Sequence, residues 1–215
     1  MSFEIVCFDC DSTLSKIEGI DELGRQSGLY DELVSLTNAA MNGTLALEDV
    51  YGKRLSLIKP DKAQITSLAD LYIAEMVEGV EAVFSTLLTQ GKQVHIISGG
   101  LRQAILPLAK KLGLPDDHVH AVDVLFNVDG SFKDFDQQSP LARTGGKAVI
   151  CKSIQKQGCS MAMIGDGKTD LEAKRAGATV IGFGGVMKRD IVVEQADIFV
   201  NETSLMAVLP HLVIQ

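Results

Sequence analysis

Two aspartates follow the first strongly apolar stretch of the chain. Residues 3–8 read Phe-Glu-Ile-Val-Cys-Phe, and Asp9 and Asp11 come directly after them. A short run rich in apolar and β-branched residues predicts a buried strand of a parallel sheet. On an extended backbone, residues two apart face the same way, so the two carboxylates share one side. Like charges at the end of a buried strand are costly unless a cation or a proton offsets them, although Asp-x-Asp also fits a plain polar turn.

Two later strand-like runs also end in unusual clusters. Residues 93–97 precede a Ser-Gly-Gly sequence at 98–100, and residues 160–164 precede Gly-Asp-Gly-Lys-Thr-Asp at 165–170. The carboxyl ends of neighbouring parallel strands form one edge of a sheet, where ligands bind in open α/β proteins. We therefore expect the three clusters to meet, and their coincidence indicates a functional site more strongly than any one of them alone.

The residue types in these clusters suit phosphoryl transfer. Aspartates on adjacent strand ends offer the oxygen ligands that Mg²⁺ prefers. Ser98 and the two following glycines offer a hydroxyl and exposed N–H groups for phosphate oxygens, and Lys147, after two glycines, adds a positive charge. The residues alone leave two roles open for the carboxylates. Either they only hold the metal, or Asp9 attacks phosphorus while Asp11 serves as general acid and base.

The elements that must position these residues alternate between strand and helix. This order predicts an α/β fold with a doubly wound parallel sheet, which is a Rossmann-like core. Residues 15–78 instead show helical periodicity with few strand-like runs. We predict a catalytic core formed by residues 1–14 and 79–215, with residues 15–78 as an inserted α-helical cap. The alternative is that these helices merely cover one face of the sheet.

Composition limits the function further. The 215 residues are 46% hydrophobic and 22% charged, with a formal net charge of −8, which is typical of a globular protein and argues against nucleic acid or an anionic membrane as partner. We see no targeting segment and no membrane span, and we expect a cytoplasmic protein. Cys7 and Cys10 face opposite sides of the predicted strand, which disfavours a redox or zinc site.

The four clusters together carry a family resemblance. Residues 9–14, residues 98–100, Lys147 and residues 165–170 resemble, in order, the four motifs of the haloacid dehalogenase-like phosphatase superfamily. Within it, the chain is similar from end to end to the phosphoserine phosphatase family. That narrower resemblance also rests on residues 18–23 and 182–185, and on the Arg-Leu pair at 54–55.

The resemblance implies a reaction and a role for each matching residue. The reaction is Mg²⁺-dependent hydrolysis of O-phospho-L-serine to L-serine and phosphate, through an aspartyl-phosphate on Asp9, as the last step of serine biosynthesis. The implied catalytic residues are Asp9, Asp11, Ser98 and Lys147. The implied metal ligands are Asp9, Asp11 through its backbone carbonyl, and Asp166, with Asp170 in support. The implied substrate-binding residues are Glu18, Met41, Arg54, Ser98, Gly99, Gly100, Thr169 and Arg189.

The proposed substrate is a zwitterion, so a pair made of Glu18 and Arg54 makes chemical sense for its amino and carboxylate groups. Taken alone, both residues also fit solvated helix charges. The rival enzymes would cleave another small phosphate monoester or pass the phosphoryl group to an acceptor such as homoserine. A metal-binding module without catalysis is disfavoured because all four motifs are intact. The oligomeric state stays open.

Four positions depart from the family pattern. They are Leu47, where an aromatic residue is frequent, Val122, where asparagine is common, Asn42 in place of glycine, and Lys168 in place of a small residue. None of them is part of the implied hydrolytic machinery. They bear on substrate preference and turnover, and not on the class of reaction.

Overall fold

A six-stranded parallel sheet forms the centre of the protein. The computed structural model describes residues 3–155 and 158–213. The strands are β1 (Ile5–Phe8), β2 (Gln93–Leu101), β3 (Val119–Val122), β4 (Val124–Phe126), β5 (Phe132–Phe135), β6 (Met161–Gly165), β7 (Thr179–Phe183) and β8 (Ile198–Val200). The sheet has the order β3-β2-β1-β6-β7-β8, with every neighbouring pair parallel, while β4 and β5 form a separate antiparallel hairpin.

Helices connect and surround these strands. They are α1 (Gly19–Gln26), α2 (Tyr30–Met41), α3 (Leu47–Ile58), α4 (Lys62–Ala74), α5 (Val80–Thr89), α6 (Arg102–Lys111), α7 (Gly146–Ile154), α8 (Lys168–Leu171), α9 (Asp190–Gln195) and α10 (Leu209–Leu212). Short 3₁₀ turns lie between several of them. This architecture confirms the predicted doubly wound parallel sheet.

The central strands are apolar because both of their faces are covered. All four residues of β1 and all five of β6 are buried. Parallel strands buried on both faces show continuous apolar runs instead of alternation, which is why the sequence pattern identified them. This rigid centre holds the polar residues that come immediately after the strands.

Four helices, α1 to α4, occupy the segment between β1 and α5. Lys59 adopts a left-handed conformation at the end of α3, and Asp61 then begins α4 with a capping box that includes Gln64. The chain segments before α1 and after α4 lie side by side, because Ser15 and Met76 form a β-bridge. Helix α4 packs closely against α6. The predicted division into core and cap at residues 15–78 stays a prediction.

Strand β2 is longer than its sequence predicted. The Ser-Gly-Gly sequence was expected to end the strand at Ile97, whereas β2 continues through these residues to Leu101. Leu101 pairs with Val122 of β3 after a shift in register. Glycine permits the extended backbone as readily as a turn, so the two glycines loosen the pairing without ending the strand.

Within the described parts of the chain, no helix combines the length and the apolar character needed to cross a lipid bilayer.

Candidate active site

Three neighbouring strand ends bring the predicted polar clusters together. Strand β1 lies between β2 and β6, so Asp9 after β1, Ser98 within β2 and Asp166 after β6 share one edge of the sheet. From β1 the chain adds β2 and β3 on one side of the sheet and later adds β6, β7 and β8 on the other side. Such a switch point opens a crevice at the carboxyl edge of a parallel sheet. The expected meeting of the three clusters is therefore observed.

Lys147 joins two of the aspartates. Its Nζ lies 2.6 Å from Asp9 Oδ2 and 2.6 Å from Asp170 Oδ1, and all three side chains are buried. Burial works against the lysine charge, but the Asp170 and Asp9 carboxylates outweigh it and raise the pKa of Lys147. The lysine enters the site at the start of α7. Only glycine fits at the preceding position 146, because a Cβ on Gly146 would lie 2.0 Å from the Pro140 carbonyl oxygen.

The buried aspartates form a cluster that fits a cation. Carboxylate oxygens of Asp9, Asp166 and Asp170 all lie within 4.8 Å of one another. Burial, followed by the charge of Asp9, raises the pKa of Asp166 to about 7. Arg189 donates from Nε to Asp166 Oδ2 at 3.2 Å. A site lined with crowded oxygen donors and short of positive charge suits a hard divalent metal ion.

Asp11 is held in a fixed orientation. Its Oδ1 accepts hydrogen bonds from the Gly19 N–H and the Tyr72 hydroxyl, both at 2.7 Å. Its Oδ2 accepts a longer bond of 3.3 Å from Ser98 Oγ. Burial, followed by the charge of Asp9, raises the pKa of Asp11 to about 6, although the Tyr72 and Gly19 bonds oppose this. A carboxyl group with such a pKa can both donate and accept a proton near neutral pH.

The part of the chain that contains α1 to α4 contributes one acidic and one basic side chain to the cavity, Glu18 and Arg54. Glu18 accepts a 2.7 Å hydrogen bond from Ser12 Oγ, and burial raises its pKa well above the usual value. Ser12 has a φ of +51°, a left-handed conformation that is uncommon outside glycine and that turns the chain sharply after the aspartates. Arg54 is buried, and its Nε has no hydrogen-bond partner among the described residues.

Most of the predicted site residues line one cavity. They are Asp9, Asp11, Glu18, Met41, Arg54, Ser98, Gly99, Gly100, Lys147, Asp166 and Thr169. The two predicted residues outside the lining are Asp170 and Arg189, which lie directly behind it. Asp170 contacts Lys147, and Arg189 contacts Asp166. The arrangement agrees with the residue set expected from the sequence, while the role of each residue stays a prediction.

Several residues of the site were missed. Tyr72 on α4 reaches Asp11, Thr37 on α2 contacts Arg54, and Glu172 accepts a hydrogen bond from the Gly145 N–H. Tyr72 and Thr37 belong to ordinary helical stretches, so nothing in their spacing marks them. Glu172 lies two residues beyond the fourth motif, and that proximity was the one available signal.

The four departures from the family pattern lie in different environments. Leu47 lines the cavity, and Val122 is buried in β3. Asn42 accepts a 3.4 Å hydrogen bond from Arg189. Lys168 donates to the Gly43 carbonyl oxygen at 3.3 Å, so its charge lies between α8 and the end of α2 and is absent from the cavity lining.

Comparison with known proteins agrees with this geometry. The family model of the haloacid dehalogenase-like hydrolases matches residues 3–177. The chain belongs to this family. It is 40% identical over 200 residues to the chloroplastic phosphoserine phosphatase of Arabidopsis thaliana, which covers 91% of this chain and 68% of that protein. The resemblance found in the sequence motifs is thereby confirmed.

Solved structures of this family share the whole fold. A substrate-bound phosphoserine phosphatase complex is 29% identical, with a TM-score of 0.85 over 99% of this chain and 100% of that one. A phospho-aspartyl intermediate analogue of phosphoserine phosphatase is also 29% identical, with a TM-score of 0.81 over the same shares of the two chains. The family member described here is thus a hydrolase with the complete architecture of these structures.

Proposed function

We propose that this protein is a Mg²⁺-dependent phosphatase that hydrolyses O-phospho-L-serine to L-serine and phosphate, the last step of serine biosynthesis. One observation carries the proposal. A single cavity contains the Asp9–Lys147 pair, the oriented Asp11 and Asp166, together with the carboxylate of Glu18 and the guanidinium of Arg54. The three aspartates and Lys147 suit phosphoryl transfer. Glu18 and Arg54 suit the amino and carboxylate groups of an amino acid.

The reaction divides into two displacements at phosphorus. In the first, a carboxylate oxygen of Asp9 attacks phosphorus, the bond from phosphorus to the serine oxygen breaks, and Asp11 gives its proton to that oxygen. In the second, a water molecule attacks the aspartyl-phosphate while Asp11 takes a proton from it, which releases phosphate and restores Asp9. The fixed orientation of Asp11 beside Ser98 suits both proton transfers.

The phosphate group would be held by Ser98 and Lys147, with the backbone of Gly99 and Gly100. Ser98 Oγ accepts a 3.0 Å hydrogen bond from the Gly100 N–H, which keeps the hydroxyl at the cavity wall. Lys147 stays protonated between two carboxylates and supplies a fixed positive charge. Preorganised donors of this kind stabilise charge that develops on the transferred group.

We assign the divalent cation to Asp9, the backbone carbonyl of Asp11, and Asp166. Both carboxylate oxygens of Asp170 already accept hydrogen bonds, from Lys147 at 2.6 Å and from the Gly167 N–H at 2.9 Å, which favours a supporting role. When bound, the cation offsets the negative charge of the phosphoryl oxygens and of the carboxylates around it. Oxygen ligands in a small, crowded site favour Mg²⁺.

The helical segment would select and enclose the substrate. Arg54 would bind the carboxylate and Glu18 the amino group, while Met41, Thr169 and Arg189 complete the surroundings. We propose that residues 15–78 act as a cap that excludes water before transfer. Because α4 packs against α6, opening would involve α1 to α3 more than α4. We also propose a cytoplasmic location, although the Arabidopsis relative is named as chloroplastic.

Phosphate release from L-phosphoserine, compared with other phosphate monoesters, tests this function. We expect phosphoserine to be the best substrate, and we expect a chelator or Asp9→Asn to abolish turnover. If another ester is turned over faster, and a chelator and Asp9→Asn still abolish its turnover, the proposed mechanism stands and the proposed substrate is wrong. Transfer to homoserine in preference to water would make the protein a phosphotransferase. Metal-dependent turnover that survives Asp9→Asn would remove the aspartyl-phosphate mechanism.

A further inference from the structure

A chain of buried polar groups runs behind Arg54 through three helices. Arg54 Nη1 on α3 donates to Thr37 Oγ1 on α2 at 2.9 Å, and Thr37 Oγ1 donates to Asp21 Oδ1 on α1 at 2.6 Å. The relative exposures of Asp21, Thr37 and Arg54 are 5%, 2% and 3%. Neither Asp21 nor Thr37 lines the cavity.

The direction of these bonds is determined by chemistry. A guanidinium group can only donate, so Thr37 Oγ1 must accept from Arg54. The single hydroxyl proton is therefore free for Asp21, whose carboxylate accepts it. Burial raises the pKa of Asp21, and the Thr37 hydrogen bond and the charge of Arg54 across the threonine both oppose this rise. The three residues form a relay with one stable arrangement.

The relay leaves one part of the guanidinium group unused. Arg54 lines the cavity, and its buried Nε has no hydrogen-bond partner among the described residues. The Tyr51 ring lies beneath the group, with its centroid 5.6 Å from the Arg54 Cζ. An unpaired buried donor is costly, so the group is prepared for an acceptor that enters the cavity. A substrate carboxylate is such an acceptor.

We propose that Thr37 and Asp21 are positioning residues that set specificity for a carboxylate-bearing substrate by holding Arg54 in its binding conformation. The inference rests on the proposed function, in which Arg54 binds the carboxylate of phosphoserine. A free arginine side chain has many rotamers, and ordering it on binding weakens affinity. The relay orders the arginine before the substrate arrives. The β-branched threonine suits this task because its side chain has few conformations.

The test compares two esters that differ in the carboxylate alone, L-phosphoserine and O-phosphoethanolamine. Thr37→Val keeps the shape of the side chain and removes the hydroxyl. We expect KM for phosphoserine to rise about tenfold, as for loss of one hydrogen bond to a charged group, with kcat changed much less. Kinetics on phosphoethanolamine should stay within about twofold of the wild type. Thr37→Ser keeps the hydroxyl and should restore most of the phosphoserine affinity.

A double-mutant cycle separates positioning from any other effect. If Thr37 acts only through Arg54, Thr37→Val should change nothing further in an Arg54→Ala background. Equal losses on both esters, or a wild-type KM for phosphoserine, would overturn the inference. Should Thr37→Val fail to fold, Asp21→Asn provides the same comparison, because it keeps an acceptor and removes the charge.

The Arg54→Ala variant separates this inference from the proposed function. A selective rise in KM for phosphoserine in Arg54→Ala, without one in Thr37→Val or Asp21→Asn, would refute the relay and leave the substrate assignment intact. No selective effect in Arg54→Ala would refute the substrate assignment itself, and the relay would then lose its role.

Discussion

At the level of single residues, the clustering of Asp9, Asp166 and Asp170 depends on a glycine that has no Cβ. Gly165 ends β6, immediately before Asp166, and a Cβ at this glycine would lie 2.1 Å from the Asp170 Cγ. Asp170 cannot move away freely, because Lys147 and the Gly167 N–H hold its two oxygens. The glycine is therefore needed for close approach and not for a special backbone angle.

We expect Gly165→Ala to displace Asp170 and to weaken Mg²⁺ binding by about tenfold or more, with a loss of about 2 kcal/mol in the free energy of unfolding. Calorimetric titration with Mg²⁺ and denaturant unfolding measure the two effects. Gly52→Ala is the matched control. A Cβ there meets only ordinary contacts with Phe135, 3.5 Å or more away, on a helix where alanine is favourable. Unchanged Mg²⁺ affinity in Gly165→Ala would contradict the argument.

At the scale of elements, α4 connects the helical segment to the proposed acid. The helix packs on α6 and carries Tyr72, whose hydroxyl donates to Asp11 Oδ1. The Gly19 N–H, at the start of α1, donates to the same oxygen. Two helices that follow β1 in the chain thus hold one oxygen of Asp11, and the other oxygen is left beside Ser98.

We expect Tyr72→Phe to slow phosphoryl transfer from phosphoserine about tenfold in single-turnover experiments, because Asp11 loses one of the bonds that orient it. Transfer from p-nitrophenyl phosphate should slow much less, since nitrophenolate leaves without a proton. Tyr51→Phe removes a comparable buried hydroxyl, which donates to the Gly99 carbonyl oxygen at 2.8 Å. This control should not alter the ratio between the two substrates. Equal slowing of both esters by Tyr72→Phe would exclude a role in orienting the acid.

At the scale of the whole molecule, the site contains more buried acid than base. Burial raises the pKa of Asp166 to about 7 and that of Asp11 to about 6, and both values lie above the ordinary value of 3.8. The folded state therefore binds these protons more tightly than the unfolded state. The stability that they contribute is complete at low pH and is lost as the pH rises through the folded pKa values.

We expect the metal-free protein to lose stability between about pH 5.5 and pH 7, by up to about 1 kcal/mol per pH unit for each proton concerned, and to change little above about pH 7.5. His95 opposes this trend by one proton below pH 6.5, because burial lowers its pKa from 6.5 to about 4. Thermal unfolding with a chelator measures the trend, and Mg²⁺ should raise Tm more at pH 8 than at pH 6.5. Asp166→Asn should flatten the dependence. A chelated protein whose Tm rises across this window would contradict the prediction.

Local sequence patterns were sufficient to predict those parts of the protein that they encode directly. Buried parallel strands require continuous apolar runs, so β1 and β6 were visible, and the polar residues after them had to meet at one sheet edge. Asp9, Ser98 and Asp166 were therefore predictable as a group. Lys147 was added to this group by its position after two glycines. The resemblance to the family then implied the Glu18–Arg54 pair, which no local pattern marks as functional.

The support of these groups depends on contacts between distant parts of the chain, which the sequence did not reveal. Asp21, Thr37 and Arg54 are separated by 16 and 17 residues, and Tyr72 lies 61 residues from Asp11. The packing of separate helices creates such contacts, and helical periodicity records which face is buried but not which neighbour it meets. The course of β2 through Ser98 was likewise decided by its pairing with β3. Local chemistry thus identified the reacting groups, and long-range packing determined their orientation.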